Sequence, residues 1–173
     1  MVAYGLLAAA YMAYSPGKLI WYSWHPFFMI IGFAPLAIVA ILYKKVGGYE
    51  NTKIHGILMT LSTLSASFAF YVIYSNKNTY NKQHFTTLHG QGGLAIMIAY
   101  LGLALVGFVG LNPDWGFLRT NKTIRAVHKR SGQVVSVSAW LTCIFQFVKM
   151  VPNVWVQILL VLPLAIFGVI AIL

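Results

Sequence analysis

Five histidines carry the most versatile chemistry in this chain: His25, His55, His84, His89 and His128. Imidazole titrates near neutral pH and is the commonest side-chain ligand for transition metals. Four of the five, His25, His55, His89 and His128, begin four successive apolar runs. For one histidine alone, structural packing is the simpler explanation. Four at the same place in four consecutive runs are much harder to explain that way. An ionisable residue inside a membrane segment is a functional hypothesis by default. His84 stands apart, in a polar stretch five residues ahead of His89.

Other chemistries lack the residues they need. Glu50 and Asp114 are the only acids, which leaves no carboxylate pair for hydrolysis and no carboxylate-rich metal site. Cys143 is the only cysteine, so an intrachain disulfide, a thiolate cluster and a c-type haem attachment pair are excluded. It lies in an apolar run and reads as buried packing.

These histidines must be positioned by membrane helices. The chain of 173 residues is 60% hydrophobic and 8% charged, against roughly 25% charged in a soluble domain. Apolar runs of membrane length follow one another, and they are apolar all round rather than alternating as barrel strands would be. Six segments are expected: Met1 to about Tyr14, Trp21 to Tyr43, Lys53 to Tyr74, Phe85 to Leu111, Ile124 to Met150, and Pro152 to Leu173. The first is short for a crossing. Ser15-Pro16-Gly17 ends it, and Ser75 to Gln83 reads as a polar connection. Gly90, Gly92, Gly93, Gly102, Gly107 and Gly110 crowd the fourth segment, which suits close helix packing or room for a flat cofactor. The expected fold is an all-α integral membrane protein, residues 1–173 forming one domain. It has six transmembrane helices with a central four-helix bundle.

The formal net charge is +10. Its basic residues fall between apolar runs, so they report topology rather than nucleic-acid binding. Attraction for anionic substrates or lipid headgroups is a second use. Lys18, Lys77, Lys82 and Lys149 lie on one side; Lys44, Lys45, Lys53, Arg119, Lys122, Arg125, Lys129 and Arg130 lie on the other. The richer side is expected to be cytosolic, with both termini. The second and fourth helices run one way, the third and fifth the other. His25 and His89 then share the non-cytosolic level, and His55 and His128 the cytosolic one. Zinc wants three or four ligands close together, and no HxxHH cluster supports non-haem iron. Two imidazoles per level suit a six-coordinate haem b at each, whose work is electron transfer.

The residues SWHP (Ser23 to Pro26), KIHG (Lys53 to Gly56), HFTTLHGQGG (His84 to Gly93) and VHKRSG (Val127 to Gly132) resemble, in order and spacing, the cytochrome b561 family. The HFTTLHGQGG stretch is most like the small branch in which the cytochrome unit is nearly the whole chain. The resemblance implies six helices and two haem b groups held by the middle four, with the same pairing of histidines. It implies electron transfer from cytosolic ascorbate to monodehydroascorbate or ferric iron across an endomembrane such as the ER or a vesicle. It is compatible with a homodimer. The chain departs from the family pattern in its short first helix, and it does not clearly reproduce the ascorbate site of the best-known members. Within this reading, Lys129 and Arg130 neutralise haem propionates, while Lys45, Lys53 and Arg125 draw in ascorbate. His84 meets an acceptor or a propionate, or simply caps its loop. Two other functions remain open at this point: an electron-carrier subunit of a quinone-linked oxidoreductase, and a haem-free transporter.

Overall fold

The computed structural model describes residues 1–173 as helices joined by short turns, with no strand. Their order is α1 (Val2–Tyr14), α2 (Trp21–Val46), α3 (Tyr49–Thr79), α4 (Leu88–Gly110), α5 (Lys122–Met150) and α6 (Val154–Ile172). The last five are long and apolar enough to cross a membrane. The expected all-α membrane fold is borne out, with five helices of membrane length where six crossings were expected and a sixth helix, α1, of 13 residues. At about 1.5 Å per residue α1 spans roughly 20 Å, short of a hydrocarbon core of about 30 Å.

Local chemistry sets the ends. Gly47 and Gly48 take φ of 79° and 88°, a region that favours glycine, and this permits the tight turn from α2 into α3. Asn51 Nδ2 and Thr52 Oγ1 donate back to the Gly47 and Gly48 carbonyls at 2.7 and 2.8 Å. Thr87, Asn121 and Asn153 cap α4, α5 and α6, each accepting from a backbone N–H of the first turn. Helix α3 runs to Thr79, so most of the stretch from Ser75 to Gln83 is helix rather than connection.

Pro35 lies inside α2, where its ring lacks an N–H and crowds the preceding turn. The helix answers with a π turn over Gly32–Leu36. Neighbouring helices catch carbonyls along this stretch. Ser65 Oγ donates to Phe28 O and Ser62 Oγ to Gly32 O, both at 2.8 Å, while Trp140 Nε1 donates to Phe33 O at 2.5 Å. The Tyr100 hydroxyl lies 2.6 Å from Ser62 Oγ, fully inside the bundle. Phe33, Ala66, Met97, Tyr100 and Ala139 close the core around this network, uniting α2, α3, α4 and α5. Helix α1 packs outside, where Ala8, Ala9 and Met12 meet Ile30 and Phe147. A Cβ at Gly5 would stand 2.8 Å from Pro35 Cδ, so α1 reaches the proline only because residue 5 is glycine.

Candidate haem sites

Helices α2 and α3 brace each other's histidines. His25 Nδ1, on α2, lies 3.0 Å from the carbonyl oxygen of Ala69 on α3. His55 Nδ1, on α3, lies 2.9 Å from the carbonyl of Ala40 on α2. A carbonyl only accepts, so Nδ1 carries the proton in each ring and Nε2 keeps its lone pair for a metal. Ala69 follows His55 by fourteen residues on the same helix. At about 1.5 Å per residue the two levels are roughly 21 Å apart along α3.

At the first level, the His25 and His89 rings lie edge to face, with centroids 6.4 Å apart and planes at 82°. Two imidazoles this close would be able to hold one haem iron together. The observed separation fits an iron between them. His89 Nδ1 is buried without a hydrogen-bond partner, an expensive state for a polar atom unless another group shares the site. A cavity of about 300 Å³ opens here, lined among others by His25, His89, Gly90, Gly93, Phe70 and Phe85. Apart from the adjoining backbone of its own helix, no protein atom lies within 4 Å of a Cβ placed on Gly93. The space beside His89 is therefore left clear by the sequence, not filled by a neighbour.

His84, Tyr74 and Lys77 line the outer part of the same cavity. His84 stacks on Tyr74 with centroids 4.3 Å apart, and its Nε2 is 2.7 Å from Asn78 Oδ1. Phe85 holds φ of 54°, strained for a bulky residue, and stacks on Phe70. Lys77 and Lys149 lie within electrostatic range of His89. Neither lysine stands out in sequence as more than a mark of topology.

At the second level, His55 and His128 lie within electrostatic range of each other and of Lys44. His128 Nδ1, like that of His89, is buried without a partner. Helix α4 ends in a second π turn, Val106–Gly110. A Cβ on Gly107 would stand 3.3 Å from His128 Cε1, so that glycine lets α4 close on the ring. No three His, Cys, Asp or Glu side chains converge anywhere in the chain. Both levels thus fit a metal that brings its own equatorial ligands, as haem does.

The basic residues divide. Lys44 Nζ donates to Thr52 Oγ1 at 2.8 Å beside the second level. Lys45 turns away and donates to the Ile170 carbonyl of α6 at 2.9 Å. Adjacent residues on a helix point about 100° apart, which the sequence alone did not resolve into one near and one far lysine. Lys53 forms the chain's one ion pair, 3.5 Å from Asp114 Oδ2. The Tyr49 hydroxyl donates to the other oxygen, Oδ1. That hydrogen bond, joined by the charges of Lys53 and Arg119, holds the Asp114 carboxyl below its usual pKa. Arg125 lies within electrostatic range of Lys44. Lys129 and Arg130 are exposed on α5 next to His128.

A helical membrane bundle with histidines gathered at two depths is the pattern of a class, the membrane haem proteins. The family described as "Eukaryotic cytochrome b561" matches residues 24–152, a stretch that contains all four paired histidines. The chain belongs to this family, whose members bind haem b. It is similar to the transmembrane reductase CYB561D2 of Mus musculus, 27% identical over 147 residues that cover 78% of this chain and 64% of the relative. The Homo sapiens protein of that name matches to the same extent. The plasma membrane ascorbate-dependent reductase CYBRD1 of Rattus norvegicus is 24% identical over 122 residues, 67% of this chain and 43% of that one. The chain spans a little under two thirds of the length of the CYB561D2 relatives and less than half of CYBRD1.

Proposed function

We propose that this protein carries electrons across a membrane through two haem b groups, one held by His25 and His89 and the other by His55 and His128. The closeness of the His25 and His89 rings, with centroids 6.4 Å apart, is the observation that carries this reading. Each bound haem b would supply a one-electron ferric/ferrous couple. The chain's own part is to hold neutral imidazoles on the metal. The Ala69 and Ala40 carbonyls do this for His25 and His55 by keeping the Nδ1 proton in place.

The donor is ascorbate at the His55–His128 level, which the excess of basic residues assigns to the cytosol. Its family and the name of one relative support this choice. Lys53 and Arg125 attract the anion, with Lys44 nearer the histidines than Lys45. Lys129 and Arg130 neutralise haem propionates. Ascorbate loses one electron and a proton and leaves as monodehydroascorbate. At the His25–His89 level His84, stacked on Tyr74 at the cavity mouth, meets the acceptor, monodehydroascorbate or ferric iron. The protein resides in an endomembrane with its C-terminus in the cytosol.

The test is the detergent-solubilised chain alone. A pyridine haemochrome assay should give two haems per chain, and ascorbate should reduce both without a partner protein. One haem per chain would end the two-level reading. Two haems that only a partner protein can reduce would make the chain an electron-carrier subunit. Chain reconstituted into vesicles loaded with ascorbate should then reduce external ferric chelate.

A further inference from the structure

Asp114 is one of two acids in a chain of net charge +10, and it stands on the basic side of the molecule. Its carboxylate faces the first turns of α3. The Tyr49 hydroxyl donates to Oδ1, while Lys53 Nζ lies 3.5 Å from Oδ2 and 5.1 Å from the Tyr49 ring centre. Tyr49 and Lys53 are one helical turn apart on α3, and His55 follows two residues on. Two donors thus grip the two adjacent oxygens of one small anion, immediately before a histidine of the second level.

The turn that presents Asp114 does not need this contact to keep its shape. Asn112 Oδ1 accepts from the Asp114 N–H at 2.9 Å, and Gly116 N donates to Asn112 O at 2.9 Å. Arg119 Nη1 donates to the carbonyls of Pro113 and Asp114 at 3.0 and 2.6 Å. Trp115 Nε1 ties the turn back to Phe108 O. The carboxylate is therefore a group carried on a self-supported turn. Its hold on Lys53 is also weak: both side chains are more than a third exposed, and an exposed ion pair contributes little.

We propose that Asp114 occupies the donor-binding groups Tyr49 and Lys53 as an internal anion, and that an anionic donor with two adjacent oxygens must displace it to bind. This rests on the donor assignment made above. An enediolate presents two vicinal oxygens where the carboxylate presents two geminal ones, so the same two donors serve both. A neutral or single-oxygen donor gains too little from Lys53 and Tyr49 to displace the carboxylate. Asp114 thus sets specificity as well as affinity.

The experiment compares wild type with Asp114→Asn, an isosteric change that removes the charge, and with Glu50→Gln, which removes the other acid. Pyridoxal 5′-phosphate, an anionic aldehyde, labels accessible lysines, and mass spectrometry after borohydride reduction reads Lys53 by itself. Lys53 labelling should rise about two- to fivefold in Asp114→Asn, the weight of an exposed ion pair, and stay at the wild-type level in Glu50→Gln. The KM for ascorbate should fall by a similar factor in Asp114→Asn with kcat unchanged, and haem spectra should match wild type. Equal Lys53 labelling in wild type and Asp114→Asn overturns the proposal whatever the donor. Raised labelling in a chain that ascorbate fails to reduce would retain the internal anion and remove only the donor assignment. Raised labelling with an unchanged ascorbate KM would overturn the competition, because Lys53 would then be freed without consequence for the donor.

Discussion

Gly93 offers a sharp test of where the first haem lies. Apart from the adjoining backbone of its own helix, a Cβ there meets no protein atom within 4 Å, yet the residue lines the cavity shared by His25 and His89. Gly93→Val should not harm the fold. Valine even gains a few tenths of a kcal/mol over glycine in a helix. The added carbons instead invade the space that the flat cofactor needs. Overpacking of a filled site costs about 1–3 kcal/mol, which weakens haem retention about five- to 150-fold. The matched control is Gly102→Val on the same helix. Gly102 is exposed, likewise has no atom beyond the adjoining backbone of its own helix within 4 Å of a Cβ, lies outside the cavity lining, and is nine residues away, on the opposite face of α4. The assay is haem per chain with the α-band spectrum, alongside the thermal stability of the purified protein. Gly93→Val should carry one haem, or a loosened second one, at wild-type stability. Gly102→Val should carry two. Full haem content with an unaltered spectrum in Gly93→Val would refute the reasoning.

Four further outcomes follow from the same geometry. His25→Ala and His89→Ala should each lose the same haem and keep the other, and His55→Ala and His128→Ala should form the complementary pair; redox titration of the α-bands distinguishes them. Gly107→Ala places a carbon 3.3 Å from His128 Cε1, so it should shift the electron paramagnetic resonance signal of the His55–His128 haem alone, and a shift in the other signal would contradict the assignment of levels. Trp140→Phe removes the donor to Phe33 O at the Pro35 turn and should cost about 1–3 kcal/mol, seen as a lower unfolding temperature in detergent. The Asp114 carboxyl titrates below its usual range because Tyr49 donates to it, so its contribution is fully present above an ordinary carboxylate pKa of about 4 and is lost as pH falls through the lowered value; the ratio of Lys53 labelling between Asp114→Asn and wild type should hold constant from pH 8 to pH 5.

Periodicity and topology carried much of this reading. The histidine levels depend only on which helices run in the same direction, and that follows from counting apolar runs. The glycine-rich fourth segment also announced space, although sequence could not say which glycine faced the cavity. Gly93 and Gly102 look alike in the sequence, and only the packing of α4 separates them. The Ala69 and Ala40 carbonyls were invisible in advance because any residue supplies a carbonyl; the interhelical register chooses them. The same holds for Lys44 and Lys45. The bond between Tyr49 and Asp114 joins residues 65 positions apart, one in the first turn of α3 and the other in the turn after α4, a distance over which neither motif nor period gives a signal.

Helices α2 and α3 are two edges of one ruler. From His25 to Ala40 is fifteen residues along α2, and from His55 to Ala69 is fourteen along α3. Because the ends of these stretches are bonded to each other, both must cover the same height. The π turn at Gly32–Leu36 takes up the odd residue, since such a turn holds one more residue than the α turn it replaces. Insertions and deletions inside either stretch are therefore coupled. A one-residue change in one helix dislodges a ligand at one depth and a brace at the other unless its neighbour changes to match. Outside the ruler, length is set by other contacts, such as those that hold His84 against Tyr74 and Asp114 against Tyr49.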